Sequence, residues 1–229
     1  MKLFLLITAL TLSLAGTFAI IPTAKKTTVS SQKDTTVILA PLKNTSEVNI
    51  IGIGRRDDTR KDNPDIAVEA WTQNDIPYTV RGAIKFDFSL IPEDALIKSA
   101  RLYLYSYPSP TLNGNLENAN VGNNNGIVVQ RITDDWQIPG ISWFNQPRTT
   151  RKDEIKVPHT STPELDLELN VTKQVRAMIS EKRNYGFMIR LQKERIYNSR
   201  IFVSSHSPAY PGKRPKLEIV YEDKTSMDH

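Results

Sequence analysis

Apolar and polar positions alternate most cleanly in the middle of the chain. Between 79 and 88, Val80, Gly82, Ile84, Phe86 and Phe88 fall on one side. Arg81, Lys85 and Asp87 fall on the other, with Ala83 the neutral exception. A period of two marks a half-buried strand. Residues 97–107 repeat it: Ala100, Leu102 and Leu104 share one face, and Arg101, Tyr103, Tyr105 and Tyr107 the other. Leu165, Leu167 and Leu169 alternate with Asp166, Glu168 and Asn170, while Phe187, Ile189 and Leu191 predict another strand. Shorter apolar runs predict strands over 34–40, 48–54, 66–71, 127–132, 200–204 and 216–221.

One segment follows the helical period instead. Val171, Val175, Met178 and Ile179 make a single stripe, and Asn170 or Thr172 can cap it, so the spacing predicts a short helix over 171–181. The charge-dense stretches 55–65 and 149–162 read as solvated loops. Residues 108–126, rich in asparagine, glycine and proline, form a long loop, and loops of that length often carry function. Strands rarely alternate with helices here, which disfavours a parallel α/β sheet. The fold expected is all-β, an antiparallel β-sandwich with one short helix. No repeat or linker divides it, so a single domain is expected over 34–222. A threonine-rich arm at 20–33 precedes it and a loose polar tail at 223–229 follows.

The first residues change the picture of location. Met1 and Lys2 give a basic start, residues 3–14 are mostly apolar, and small residues follow at Ala15, Gly16, Thr17 and Ala19. That is the layout of a signal peptide over 1–19. The apolar run is shorter than the roughly 20 residues a membrane-spanning helix needs. No transmembrane segment is therefore expected in the mature chain, and the expected location is secreted, periplasmic or cell-surface. The chain has no cysteine, which excludes disulfides, zinc-thiolate sites and thiol catalysis. The formal charge of +5 is mild. Without an arginine-rich helix or zinc-finger spacing it does not point to nucleic acid. For an exported protein it fits an anionic polysaccharide.

Several stretches together resemble the DNRLRE-type domain of secreted and cell-surface proteins. They are RGAIKFDFS at 81–89, IKSARLYLY at 97–105, VQRITDDW at 129–136, SWFNQP at 142–147, DLELNVT at 166–172 leading to Val175, NYGF at 184–187, and RPKLEIVY at 214–221. That family overlaps the alginate-binding type of carbohydrate-binding module and is related to disaggregatase proteins. The resemblance implies a jelly-roll-like β-sandwich, export, and a non-catalytic binding or structural role.

Tyr103, Tyr105 and Tyr107 lie two apart, roughly 6.6 Å between neighbours along a strand. Rings in such a row can stack on the apolar faces of pyranose sugars. Arg81, Lys85 and Arg101 point away from the expected core faces, and would form a basic strip beside the tyrosines if their two strands pair. Arginine suits a carboxylate because its rigid fork makes two hydrogen bonds. Trp71 adjoins polar Thr72, Gln73, Asn74 and Asp75 and is the tryptophan expected to be exposed; Trp136 and Trp143 are expected to brace a turn from inside. Asp57, Asp58, Asp62 and Asp65 form the one acidic cluster, so a structural calcium is the only cofactor left open. Arg55, Arg56, Arg60 and Lys61 interrupt that cluster, and EF-hand spacing is absent.

Catalytic residues do not emerge. His159, His206 and His229 are far apart, and neither G-x-S-x-G nor H-E-x-x-H occurs. The leading expectation is an exported, non-catalytic carbohydrate-binding module for an anionic polysaccharide. A structural or adhesive cell-surface protein with a cell-envelope protein partner is the alternative. A small polysaccharide lyase or hydrolase is the third reading.

Overall fold

A computed structural model describes residues 34–42, 46–54, 56–108 and 118–222. All of them belong to one unit that begins at Gln32. The expected signal peptide, the threonine-rich arm, the tail and the middle of the 108–126 loop lie outside the described residues.

The elements in chain order are β1 (Asp34–Leu39), β2 (Glu47–Ile53), β3 (Arg56–Arg60), β4 (Asp65–Gln73), β5 (Ile76–Ile84), β6 (Leu96–Leu104), β7 (Asn120–Val121), β8 (Ile127–Ile132), β9 (Thr149–Val157), β10 (Leu167–Asn170), α1 (Thr172–Ser180), β11 (Phe187–Leu191), β12 (Asn198–Val203) and β13 (Lys216–Glu222). Every pairing is antiparallel. The smaller sheet runs β1-β13-β6-β10 and the larger β7-β12-β4-β5-β11-β8-β9, with β2 on β5 and β3 on β2. The fold is an all-β sandwich, jelly-roll-like, with a single short helix.

Alternation supplies the core. Ala100, Leu102 and Leu104 of β6, with Leu217 and Ile219 of β13, face Ile66, Val68, Ile84, Phe187, Ile189 and Phe202 of the larger sheet. Helix α1 closes one end: Val175 and Met178 are buried there, and Arg176 donates to the carbonyls of Ile97 and Lys98. The helix begins at Thr172 with Val171 at its N-cap and no side-chain cap, so neither Asn170 nor Thr172 caps it as expected; Asn170 Oδ1 instead accepts from Thr172 N at 3.1 Å in a local turn.

Two stretches expected to be loops are strands. Residues 56–60 form β3 and 149–157 form β9. Both pair on one side only, β3 with β2 and β9 with β8. Charged side chains suit such edges, because they discourage pairing with another chain. The strand expected to reach Tyr107 ends at Leu104. Beyond it the chain crosses to the larger sheet, where Val203 N donates to the Tyr105 carbonyl and Tyr107 N to the Ile201 carbonyl.

The larger sheet forks at β5. Along one edge of β5 lies β2, from Glu47 against Ile84 to Ile53 against Tyr78. Along the other lie β4, up to the pair Glu69–Val80, and then β11 against Gly82, Ala83 and Ile84. Gly82 sits where β4 departs. A Cβ added there would collide with Ile66, so glycine allows the strands to cross closely. Asn49 repairs the interrupted ladder: its Nδ2 donates to the Asp65 carbonyl and its Oδ1 accepts from Ala67 N, both at 3.1 Å.

Candidate functional site

A cleft of about 370 Å³ opens at this fork. Its lining comes from four strands in register. β2 supplies Asn49, Ile51 and Ile53, β3 supplies Asp58 and Arg60, β4 supplies Ala67, Glu69 and Trp71, and β5 supplies Tyr78 and Val80. The pairs Ile51–Val80, Ile53–Tyr78, Glu69–Val80 and Trp71–Tyr78 place these side chains on one face. Asn63 lines it from the β3–β4 connection, and Thr72, Gln73 and Asn74 from the β4–β5 hairpin.

Trp71 and Tyr78 are half-buried neighbours at the mouth. Tyr197 meets Trp71 edge-on, with ring centroids 5.2 Å apart. That contact fixes the indole ring and leaves an aromatic rim beside the cleft. On the opposite wall Arg60 Nε lies 3.4 Å from Asp58 Oδ2, both side chains half-exposed. Glu69 is 2% exposed and hydrogen-bonds with the Tyr78 hydroxyl. Burial pushes its carboxyl up to about 8, so it holds a proton at neutral pH. Burial also raises the Asp65 carboxyl, to about 6, with attraction from Arg60 opposing the rise. Glu47 lies beneath in the same buried row, its carboxylate accepting from Ser205 N at 3.2 and 3.3 Å. The cleft therefore offers two aromatic faces, an acid group able to donate, amides, and one guanidinium. Such groups can stack on apolar ring faces and exchange hydrogen bonds with hydroxyls.

The residues expected from the sequence are scattered by the fold. Trp71 is the one that reaches the cleft as an aromatic wall. β5 and β6 lie in different sheets, so the basic strip conditional on their pairing does not form. Arg81 stacks 4.5 Å above the Trp143 ring and makes two 2.7 Å bonds to Glu194. Lys85 sits over Trp136 at 5.0 Å. Arg101 lies on the smaller sheet between Glu168 and Glu218, at 3.0 and 3.7 Å. The tyrosine row is broken as well. Tyr103 stays on the smaller sheet beneath Lys216, at 4.6 Å. Tyr105 and buried Tyr107 leave the smaller sheet for a cluster with Ile201, Val203 and Tyr210, against which Trp71 also packs. Trp136 and Trp143 brace the turn from inside as expected, Trp136 donating from Nε1 to the Tyr185 carbonyl at 2.8 Å.

The acidic cluster also separates. Asp58 faces Arg60 on an edge strand, Asp65 is buried, Asp62 is exposed, and the side chain of Asp57 lies outside the described residues. Among the described residues no three histidine or acidic groups come together to hold a metal ion. No described helix is long and apolar enough to cross a membrane. Tyr78 and Glu69 were missed from the sequence, and Arg60 and Asn63 were noted only as part of the charged loop. The signal for one of them was present: Glu69, like Trp71, alternates with apolar Val68 and Ala70, which puts both on the face away from the main core.

The fold and the cleft together define a β-sandwich with an aromatic-walled polar groove on one face of its larger sheet. Residues 63–221 match carbohydrate-binding module family 96, and the chain belongs to that family. No curated protein matches the chain. The match upholds the binding-module part of the resemblance drawn from the sequence, but not the DNRLRE assignment specifically.

Proposed function

We propose that the chain is an exported carbohydrate-binding module that holds a polysaccharide in the cleft at the β4–β5 fork. The observation that carries this reading is the placement of Trp71 and Tyr78 beside Glu69, Asn63 and Arg60 in one 370 Å³ cleft. Stacking on the aromatic faces removes apolar sugar surface from water, and the surrounding polar groups meet the hydroxyls. The anionic ligand class moves with the site: Arg60 is the cation, among the described residues, that would meet a carboxylate there. Export rests on the layout of residues 1–19.

The test is equilibrium binding of the full chain to alginate, pectin, xylan and neutral β-glucan, with reducing-end release followed in the same tubes. Saturable binding without product is expected for at least one glycan. Trp71→Ala should weaken it at least tenfold, about 1.4 kcal/mol. Tyr103→Ala and Arg101→Ala should bind as the parent does. Loss in the Tyr103 variant with Trp71→Ala unaffected would move the site to the smaller sheet.

A further inference from the structure

The topology around the cleft says which part of a glycan it can take. β3 and β4 flank the β2–β5 pair from opposite sides, in the order β3-β2-β5-β4. β4 keeps that place only from Glu69 onward; its first residues, Asp65 to Val68, have left β5 and pair with β12. Ile66 lies against Gly82 of β5, and residues 61–64 join Arg60 to Asp65, so the chain passes from β3 to β4 across the β2–β5 pair. The register fixes which end. Arg60 pairs with Asn49, and the Asn49 side chain is tied to Asp65 and Ala67, so the crossing lies at the Asn49 end. Asn63, on that crossing, lines the cleft.

The cleft is therefore a trough with walls β3 and β4, floor β2 and β5, and one blind end. Toward that end it is lined by hydrogen-bonding side chains, buried Asn49 and Glu69 with Asn63 beside them and Arg60 on the rim. Its aromatic residues, Trp71 and Tyr78, stand toward the other end, beside Ile53 and the β4–β5 hairpin. A polymer running through such a site would need both ends open. A volume of 370 Å³, near the low end for ligand sites, suits about one or two sugar rings.

We infer that the trough binds the terminus of a glycan chain, the last sugar lodged against Asn63 and Arg60 and the preceding ring stacked at Trp71 and Tyr78. This rests on the glycan-binding reading of the same cleft. A terminal sugar exposes hydroxyls that an internal one spends in linkages, and the polar blind end supplies partners for them.

Binding capacity per gram separates end recognition from interior recognition. Alginate, pectin, xylan and β-glucan would each be compared intact and after partial acid hydrolysis to about one-tenth the chain length, by isothermal titration with the parent, Trp71→Ala and Arg60→Ala. End recognition predicts about a tenfold rise in molar sites per gram on shortening, abolished in both variants. Arg60 is on the half-exposed rim, so its variant reports on the cleft even if Trp71→Ala unfolds. Capacity per gram that stays constant while remaining sensitive to the variants overturns end recognition and keeps the glycan cleft. Absence of variant-sensitive binding to any of the four overturns both.

Discussion

Replacing Glu69 by glutamine should make the protein more stable at neutral and alkaline pH. Glu69 is 2% exposed, and burial raises its carboxyl from 4.5 to about 8, against the pull of its hydrogen bond with Tyr78. In the unfolded chain it ionises near its ordinary value. Between the two values the native state keeps a proton that the unfolded state releases, so stability falls as pH rises through that window and levels off above about 8. The loss attributable to Glu69 is about 3 kcal/mol at pH 7 and grows by about 4 kcal/mol between pH 5 and pH 9. Glutamine has the same shape, can accept from Tyr78, and does not titrate. Urea unfolding of parent and Glu69→Gln at pH 5, 7 and 9 measures the difference directly. The curves should lie close at pH 5 and diverge toward pH 9, the variant becoming the more stable. Asp65, raised to about 6, adds a slope common to both proteins and finished by pH 8. Parallel stability profiles over the whole range would refute the claim that Glu69 is buried with its proton.

Gly52→Ala should cost about 1–3 kcal/mol, because an added Cβ would enter the Trp143 ring that lies on β2; the urea midpoint and the shift in tryptophan emission report it. Arg200→Met should raise stability by about 1–2 kcal/mol in the same assay. Arg200 is fully buried, its Nε and Nη2 lack hydrogen-bond partners, and burial lowers its guanidinium to about 10, so a thioether of similar length removes a desolvated charge.

The strands that could be read from the sequence are those with one face in the core. Ile84, Phe86 and Ala100 to Leu104 could be read because they turn to the main core, and the helix showed because Val171, Val175 and Met178 turn to the same core. β3 and β9 could not be read that way. Edge strands are defended by charge, and charge in a sequence looks like a loop. The tyrosine row failed for a different reason. Its spacing was right, but a strand's end is set by its partners: β13 and β10 both stop pairing with β6 by Leu104, and Tyr105 is drawn to β12. Trp71 was singled out from its four polar neighbours, but it is half-buried rather than exposed, edge-on to Tyr197 and packed against the cluster of Tyr107, Ile201 and Val203. Glu69 and Tyr78 were not singled out, since they meet only when β4 and β5 pair through Trp71–Tyr78 and Glu69–Val80.

The two walls of the cleft have different origins in the chain. Trp71 and Tyr78 fall within the family match at 63–221, whereas Asn49, Ile51, Ile53, Asp58 and Arg60 precede it. Stacking tolerates many sugars, because most pyranoses present an apolar face, so the aromatic wall supplies affinity with little discrimination. Hydrogen bonds discriminate, because a group left unpaired in a desolvated site costs about 1–3 kcal/mol. Under the proposed function, the β2–β3 hairpin would then carry selectivity and the β4–β5 hairpin strength. Trp71→Ala should then lower affinity for every bound glycan by a similar factor. Arg60→Ala should change their ranking, with a carboxylated glycan losing at least tenfold more than a neutral one of similar length. Titration of both variants against pectin and xylan oligosaccharides reads the two patterns. Equal losses for both glycans in Arg60→Ala would show that the hairpin only completes the shape of the cleft and does not choose its ligand.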